Sequence, residues 1–132
     1  MKHSILLMLF LFLLGSCKKE GVNNGQPIVG SWELRTAISG MTGVQTNYAP
    51  GNGNTLEFGK ITYHTFNASQ LVKSGTYKII KDTSRINQQI FDRIVYDNEL
   101  NTANSFFKIE GSSMTIWIDG YDAPAIIYER KQ

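Results

Sequence analysis

The sequence predicts an all-β domain, built of short antiparallel strands that close into a barrel or stack as a sandwich. Beyond residue 28, apolar and polar residues alternate with period two along most of the chain. Gly, Asn, Asp and Pro interrupt that alternation at the roughly 8–12-residue spacing of a small all-β fold. No stretch keeps a clean helical apolar stripe over several turns. A chain of 132 residues provides for one core, and its formal net charge is +2.

In residues 32–38, Trp32, Leu34 and Ile38 fall on one face of a strand, and Glu33 and Arg35 on the other. Residues 41–54 are rich in Gly and Asn and contain Pro50, so they read as a long loop or ragged hairpin. Two short strands, 55–58 and 61–66, flank Gly59-Lys60. After a turn at 67–70, residues 71–80 form a strand with Gly75 marking a bulge or bend. Residues 86–96 carry Ile86, Ile90, Phe91, Ile94 and Val95, a spacing that fits a helix almost as well as strands; strand is the favoured reading. Strands at 105–109, 113–118 and 125–129 complete the series, separated by Glu110-Gly111-Ser112 and Asp119-Gly120-Tyr121-Asp122.

The N-terminus reads as an address. Lys2 supplies positive charge, residues 5–14 are an unbroken apolar run, and Gly15-Ser16 are the small residues that precede a cleavage site. The run is too short to span a membrane, which takes roughly 20 residues. Leu14-Gly15-Ser16-Cys17 resembles the lipobox of bacterial lipoproteins, with the chain's one cysteine at its end. That resemblance implies a signal peptide over 1–16, cleaved before Cys17, whose thiol and new amine carry palmitate-type acyl chains. One such chain holds weakly, at about 0.8 kcal/mol per buried methylene, whereas two or three give a lasting membrane anchor. Lys18-Lys19-Glu20 is similar to the charged surface-export tags of Bacteroidetes lipoproteins, and no Asp follows Cys17 directly. Together these imply the outer membrane of the cell envelope, with the periplasmic and surface leaflets both open. Residues 17–27 read as a flexible tether, and the folded domain runs over 28–132.

Ile28-Val29-Gly30-Ser31-Trp32-Glu33-Leu34 resembles the Gly-x-Trp opening of lipocalins. Leu56-Glu57-Phe58, Ser74-Gly75-Thr76-Tyr77-Lys78-Ile79, Met114-Thr115-Ile116-Trp117 and Tyr128-Glu129-Arg130 follow in an order similar to small lipocalin-like domains on Bacteroidetes lipoproteins. This resemblance implies a small up-and-down β-barrel of about eight strands. It further implies that Gly30, Trp32 and Arg130 pack the closed end, the arginine over the indole, with any pocket opening at the opposite end. The body is shorter than a full lipocalin and lacks a cysteine pair and a long C-terminal helix.

The near-neutral charge balance, without a basic block, argues against a nucleic-acid partner, whose binding rests on phosphate neutralisation. A single cysteine excludes an intramolecular disulfide and a cysteine-rich zinc site. Beyond the signal region one histidine remains, His64, too few for a metal site or a base with its orienter. Asp97-Asn98-Glu99 and Asp119-Gly120-Tyr121-Asp122 offer oxygens without the alternation of a calcium loop, and read as turns, as does the sequon Asn67-Ala68-Ser69. No nucleophile elbow, phosphate loop or His-Glu-x-x-His motif occurs. The expectation is therefore no catalysis, no metal and no cofactor. An eight-stranded barrel is either filled by its own side chains or left with room for one small ligand. Phe58, Tyr63, Tyr77 and Trp117 are the candidate pocket wall, and the expected function is binding a small hydrophobic molecule. The rival is a filled barrel acting as a protein-interaction or inhibitor module, with the 40–54 loop (Met41, Tyr48, Pro50) as lid or partner contact.

Overall fold

The computed structural model describes residues 27–132. The signal peptide, the lipobox residues Leu14, Gly15, Ser16 and Cys17, and all of the tether before Pro27 lie outside the described residues.

Nine strands form, and among the described residues there is no helix. They are β1 (Gly30–Ile38), β2 (Gln45–Asn47), β3 (Thr55–Phe58), β4 (Thr62–Asn67), β5 (Gln70–Thr83), β6 (Ile90–Tyr96), β7 (Ser105–Glu110), β8 (Ser113–Ile118) and β9 (Ala125–Arg130). Each pairs antiparallel with its neighbour, and β9 returns to β1, so the sheet closes into a small up-and-down barrel. Eight strands are its staves. The ninth, β2, pairs with β1 along Thr36–Ile38, while the Gly30–Glu33 half of that edge pairs with β3. Closure leaves no long free edge, which is how all-β chains avoid pairing with other molecules.

The inward face follows from cross-strand partners. Trp32 lies opposite Leu56, Phe58 opposite Tyr63, and Ile79 opposite Ile94. All but Ile79, with Ile28, Tyr77, Phe107 and Met114, form one buried core, and the partly buried Ile79 packs against it. Phe58 and Tyr77 meet edge to face with centroids 4.8 Å apart, as do Tyr63 and Tyr96.

Three expectations need correction. Ile38 does not share a face with Trp32 and Leu34: the register shifts between Leu34 and Thr36, so a bulge at Arg35 moves Ile38 opposite Ala125 on the outer face. On β5 the shift falls between Thr65 and Phe66 of the partner strand, which makes Val72 the extra residue, not Gly75. Gly75 is a close-approach glycine instead. A Cβ there would strike the Asp97 carboxylate and stand 2.9 Å from Tyr63 Cε1. In the ambiguous 86–96 stretch, strand forms only from Ile90 onward, after a turn.

A second apolar cluster lies on the outside of the barrel. Phe91, Phe106 and Trp117 pack together with centroids 5.2–6.0 Å apart. Phe106 and its outward neighbours Arg93 and Val95 are buried. The turn after β5 is fastened here, with the Ser84 hydroxyl donating to Asp119 Oδ1 at 2.6 Å and the Arg85 amide to Oδ2 at 2.9 Å. Arg93 pairs with Asp82 at 2.9 Å and donates to the Leu100 carbonyl, fixing the β6–β7 connection.

Candidate ligand-binding site

One end of the barrel is plugged. The Trp32 indole is fully buried and donates to the Ile28 carbonyl at 2.7 Å. Arg130 lies over the indole with its guanidinium carbon 4.1 Å from the ring centroid. It also donates to the Val29 carbonyl at 2.9 Å and the Pro27 carbonyl at 2.6 Å. Gly30 completes the plug, because its φ of +138° suits glycine and a Cβ would sit 2.5 Å from Arg130 Nη1. Gly30, Trp32 and Arg130 are thus brought together at this end.

A cavity of about 260 Å³ occupies the other half of the interior. Leu56, Ile116, Ile118 and Ile126 line it together with the hydroxyl-bearing Tyr63, Tyr96, Tyr128, Thr65 and Ser105. Because Ser105 starts β7, Ile118 ends β8 and Ala125 starts β9, the cavity lies toward the end opposite Trp32. Burial raises the phenols: Tyr128 is pushed up to about 12, and Tyr96 further, with the neighbouring Tyr128 and Tyr63 adding to it. Both stay protonated at physiological pH as hydrogen-bond donors. Both residues are half-buried, and among the described residues the buried side-chain polar atom left without a partner is Arg93 Nε, on the outer face.

The rim of this cavity is charged. The Tyr63 hydroxyl donates to Asp97 Oδ2 at 2.9 Å, and the Thr76 amide donates to Oδ1 at 2.9 Å. Those bonds, the Thr76 amide foremost, hold the Asp97 carboxyl below its ordinary range. Lys73 reaches in with its ammonium 5.7 Å from the Tyr63 ring centroid. The Tyr63 hydroxyl, then the Asp97 and Glu99 charges, push the lysine further toward its charged form. Among the described residues Lys73 makes no ion pair within 4 Å.

Two further hollows exist. One of about 460 Å³ is lined by Pro27, Ile79, Asp92, Phe107, Lys108 and Ile109, where β6 and β7 separate after pairing over Asp92–Ile94 alone. Another, of about 270 Å³, lies between Leu34, Tyr48, Asn54 and Phe66.

Of the expected pocket wall, Tyr63 lines the 260 Å³ cavity. Phe58 and Tyr77 belong to the same core but pack against each other deeper in, with the Tyr77 hydroxyl donating to the Gly59 carbonyl at 2.7 Å. Trp117 is not with them. It pairs with Phe106 and Ala125, in the phase opposite to Ile116, and so faces outward. Its phase with Ser113 and Thr115, opposite to Met114, Ile116 and Ile118, was the available signal. Lys73 escaped sequence reading because a lone strand lysine reads as solvent-facing; its phase with Gly75, Tyr77 and Ile79 was the available signal.

His64 stands between Glu57 and Ser74 on the outward phase. Among the described residues no three His, Cys, Asp or Glu side chains converge as metal ligands. No family model, curated protein or solved structure matches this chain.

Proposed function

We propose that this protein is a lipid-anchored lipoprotein of the cell envelope whose lipocalin-like barrel binds one small, largely hydrophobic molecule and carries out no catalysis. The observation that supports this most is the tyrosine-lined cavity. Leu56 and three isoleucines share its wall with the half-buried Tyr96 and Tyr128 and a few smaller polar side chains, the composition that ligand sites share. Anchoring at Cys17 in the outer membrane rests on the lipobox resemblance.

A second reading is favoured by one observation. The Gly40 turn packs against the backbone of Asp122 and Ala123, which sets Met41 (88% exposed) and Val44 beside the loop of Tyr121 (81% exposed). Apolar side chains gathered this way suit contact with a protein partner.

One experiment separates these readings: mass spectrometry of the protein purified from its own membranes, under native and then denaturing conditions. The expected native spectrum carries a discrete extra mass that denaturation releases. The denatured chain is expected to begin at Cys17 and to carry acyl groups. A bare native mass would favour the interaction module, and a chain cut elsewhere or without acyl groups would end the anchoring proposal.

A further inference from the structure

We propose that the plugged end of the barrel rests on an anionic lipid surface, held there by Lys60, Lys78 and Lys131 and by the exposed side chain of Ile61. This rests on the anchoring at Cys17 proposed above and adds the face of the domain that meets the membrane. Among the described residues the cations outside ion pairs are Lys60, Lys73, Lys78, Arg130 and Lys131. All but Lys73 lie at the plug. Lys60 and Ile61 make the turn after Phe58, which pairs with Gly30. Lys78 follows Tyr77, whose amide donates to the Ile61 carbonyl at 2.9 Å. Arg130 covers Trp32, and the Lys131 amide donates to the Ser31 carbonyl. Lys60 and Lys131 therefore flank β1, one on its β3 side and one on its β9 side.

The carboxylates outside ion pairs are placed differently. Asp97 and Glu99 begin the β6–β7 connection and Asp122 is in the β8–β9 connection, both at the other end of the barrel; Glu57, opposite Ser31, stands nearer the plug. A negative surface attracts the first end and repels the second, over a Debye length of about 8 Å. Ile61, 66% exposed and next to Lys60, adds the apolar contact that accompanies basic residues at a bilayer interface. The other end exposes more apolar surface, Met41 and Tyr121 among it, but carries the carboxylates that such a surface repels. Chain length agrees with this assignment. Cys17 precedes Pro27 by ten residues, and at about 3.5 Å each they keep the acyl chains within about 35 Å of the plug. Lys18 and Lys19 add positive charge to that stretch.

The test uses the mature acylated protein in two variants, each labelled with a fluorophore on its new thiol. Ser112→Cys marks the plug, where the Ser112 carbonyl accepts from the Arg130 amide, and Asn101→Cys marks the exposed β6–β7 connection. Each is reconstituted into vesicles of phosphatidylcholine alone, or of phosphatidylcholine and phosphatidylglycerol in equal parts, with a quenching nitroxide on the lipid head groups. In the mixed vesicles the label at 112 is expected to be quenched about threefold more than the label at 101. That contrast is expected to fall by about half or more in phosphatidylcholine alone, in high salt, or when Lys60→Gln, Lys78→Gln and Lys131→Gln are combined. Stronger quenching at 101 overturns the proposal by putting the apolar mouth on the membrane. Equal quenching, or a contrast indifferent to lipid charge and to the three substitutions, overturns it too; protein still retained on the vesicles then leaves the anchoring reading standing. Protein that washes off phosphatidylcholine vesicles overturns the anchoring reading, and this proposal with it.

Discussion

Arg130 and Trp32 show how two residues at opposite ends of the folded chain close one end of a barrel. The indole supplies area: burying a side chain of that size is worth several kcal/mol, and its N–H is satisfied locally by the Ile28 carbonyl. Arg130 caps the ring, and its two donors satisfy the Pro27 and Val29 carbonyls where the chain enters the barrel. Gly30 is required because the guanidinium passes where a Cβ would be. Arg130→Ala leaves those carbonyls without protein donors and uncovers the indole. The expected loss is about 1–3 kcal/mol, from the charge-assisted bonds and the cation–π contact. Urea unfolding followed by tryptophan fluorescence measures it, with the folded-state emission shifting to the red as water reaches Trp32. Unchanged stability and emission would mean that the guanidinium only rests on the surface.

At the scale of elements, irregular segments are fastened by buried carboxylates on the outer face. Glu33 accepts from the Gly51 amide and pairs with Arg35, which ties the 48–54 loop to β1. Asp119 fastens the turn between β5 and β6 in the same way. Burial pushes its carboxyl up, but the Ser84 hydroxyl, the Arg85 amide and the Arg85 guanidinium outweigh that and hold it below its ordinary range. A carboxylate whose folded pKa is depressed contributes stability that is complete above its unfolded pKa, near pH 4, and is lost as pH falls through the folded value. Asp119→Asn keeps an acceptor for Ser84 but turns a donor toward the Arg85 amide. Its expected cost at pH 7 is about 1–3 kcal/mol. The gap to the parent protein, read from urea midpoints, is expected to narrow below pH 4; a constant gap would mean that Asp119's charge plays no part.

These fastenings mark where the strand pattern was legible and where it was not. Residues 55–58 and 113–118 alternate cleanly, and they form strands with those bounds. Strand β2, all polar and exposed, has no apolar alternation to reveal it and exists because β1 offers it an open half-edge. The facing of Ile38 and Trp117 was hidden for different reasons. A bulge shifts phase without any glycine or proline to announce it, and Trp117 is a large aromatic on an otherwise polar outer face, where Phe91 and Phe106 pack against it. In the candidate site Tyr63 was legible as an inward aromatic, whereas Lys73 and the Tyr96 and Tyr128 hydroxyls became visible only once strands far apart in sequence met around one cavity.

The whole molecule joins its two ends. The β1–β9 pairing sets Trp32 opposite Arg130, and the Lys131 amide donates to the Ser31 carbonyl at 2.9 Å. The chain therefore enters and leaves at the plugged end, while the tyrosine cavity opens at the other. Pro27, whose carbonyl accepts from Arg130, lies at that plugged end. If closure depends on the strand pairings alone, the order in which the chain visits the strands is dispensable. A circular permutant tests this: Gln132 is joined to Ile28 through about five Gly/Ser residues, and new ends are opened between Glu110 and Gly111. Gly111 sits at an exposed hairpin tip with φ +62° and nothing within 4 Å of a Cβ placed there, so the cut removes few contacts. The permutant is expected to unfold in one cooperative transition with the parent's near-ultraviolet circular dichroism. Cutting between Asp97 and Asn98 instead frees the carboxylate that holds Tyr63 and Thr76, and is expected to lower the urea midpoint. Loss of cooperativity in the Gly111 permutant would show that closing the barrel needs the native strand order as well as the native pairings.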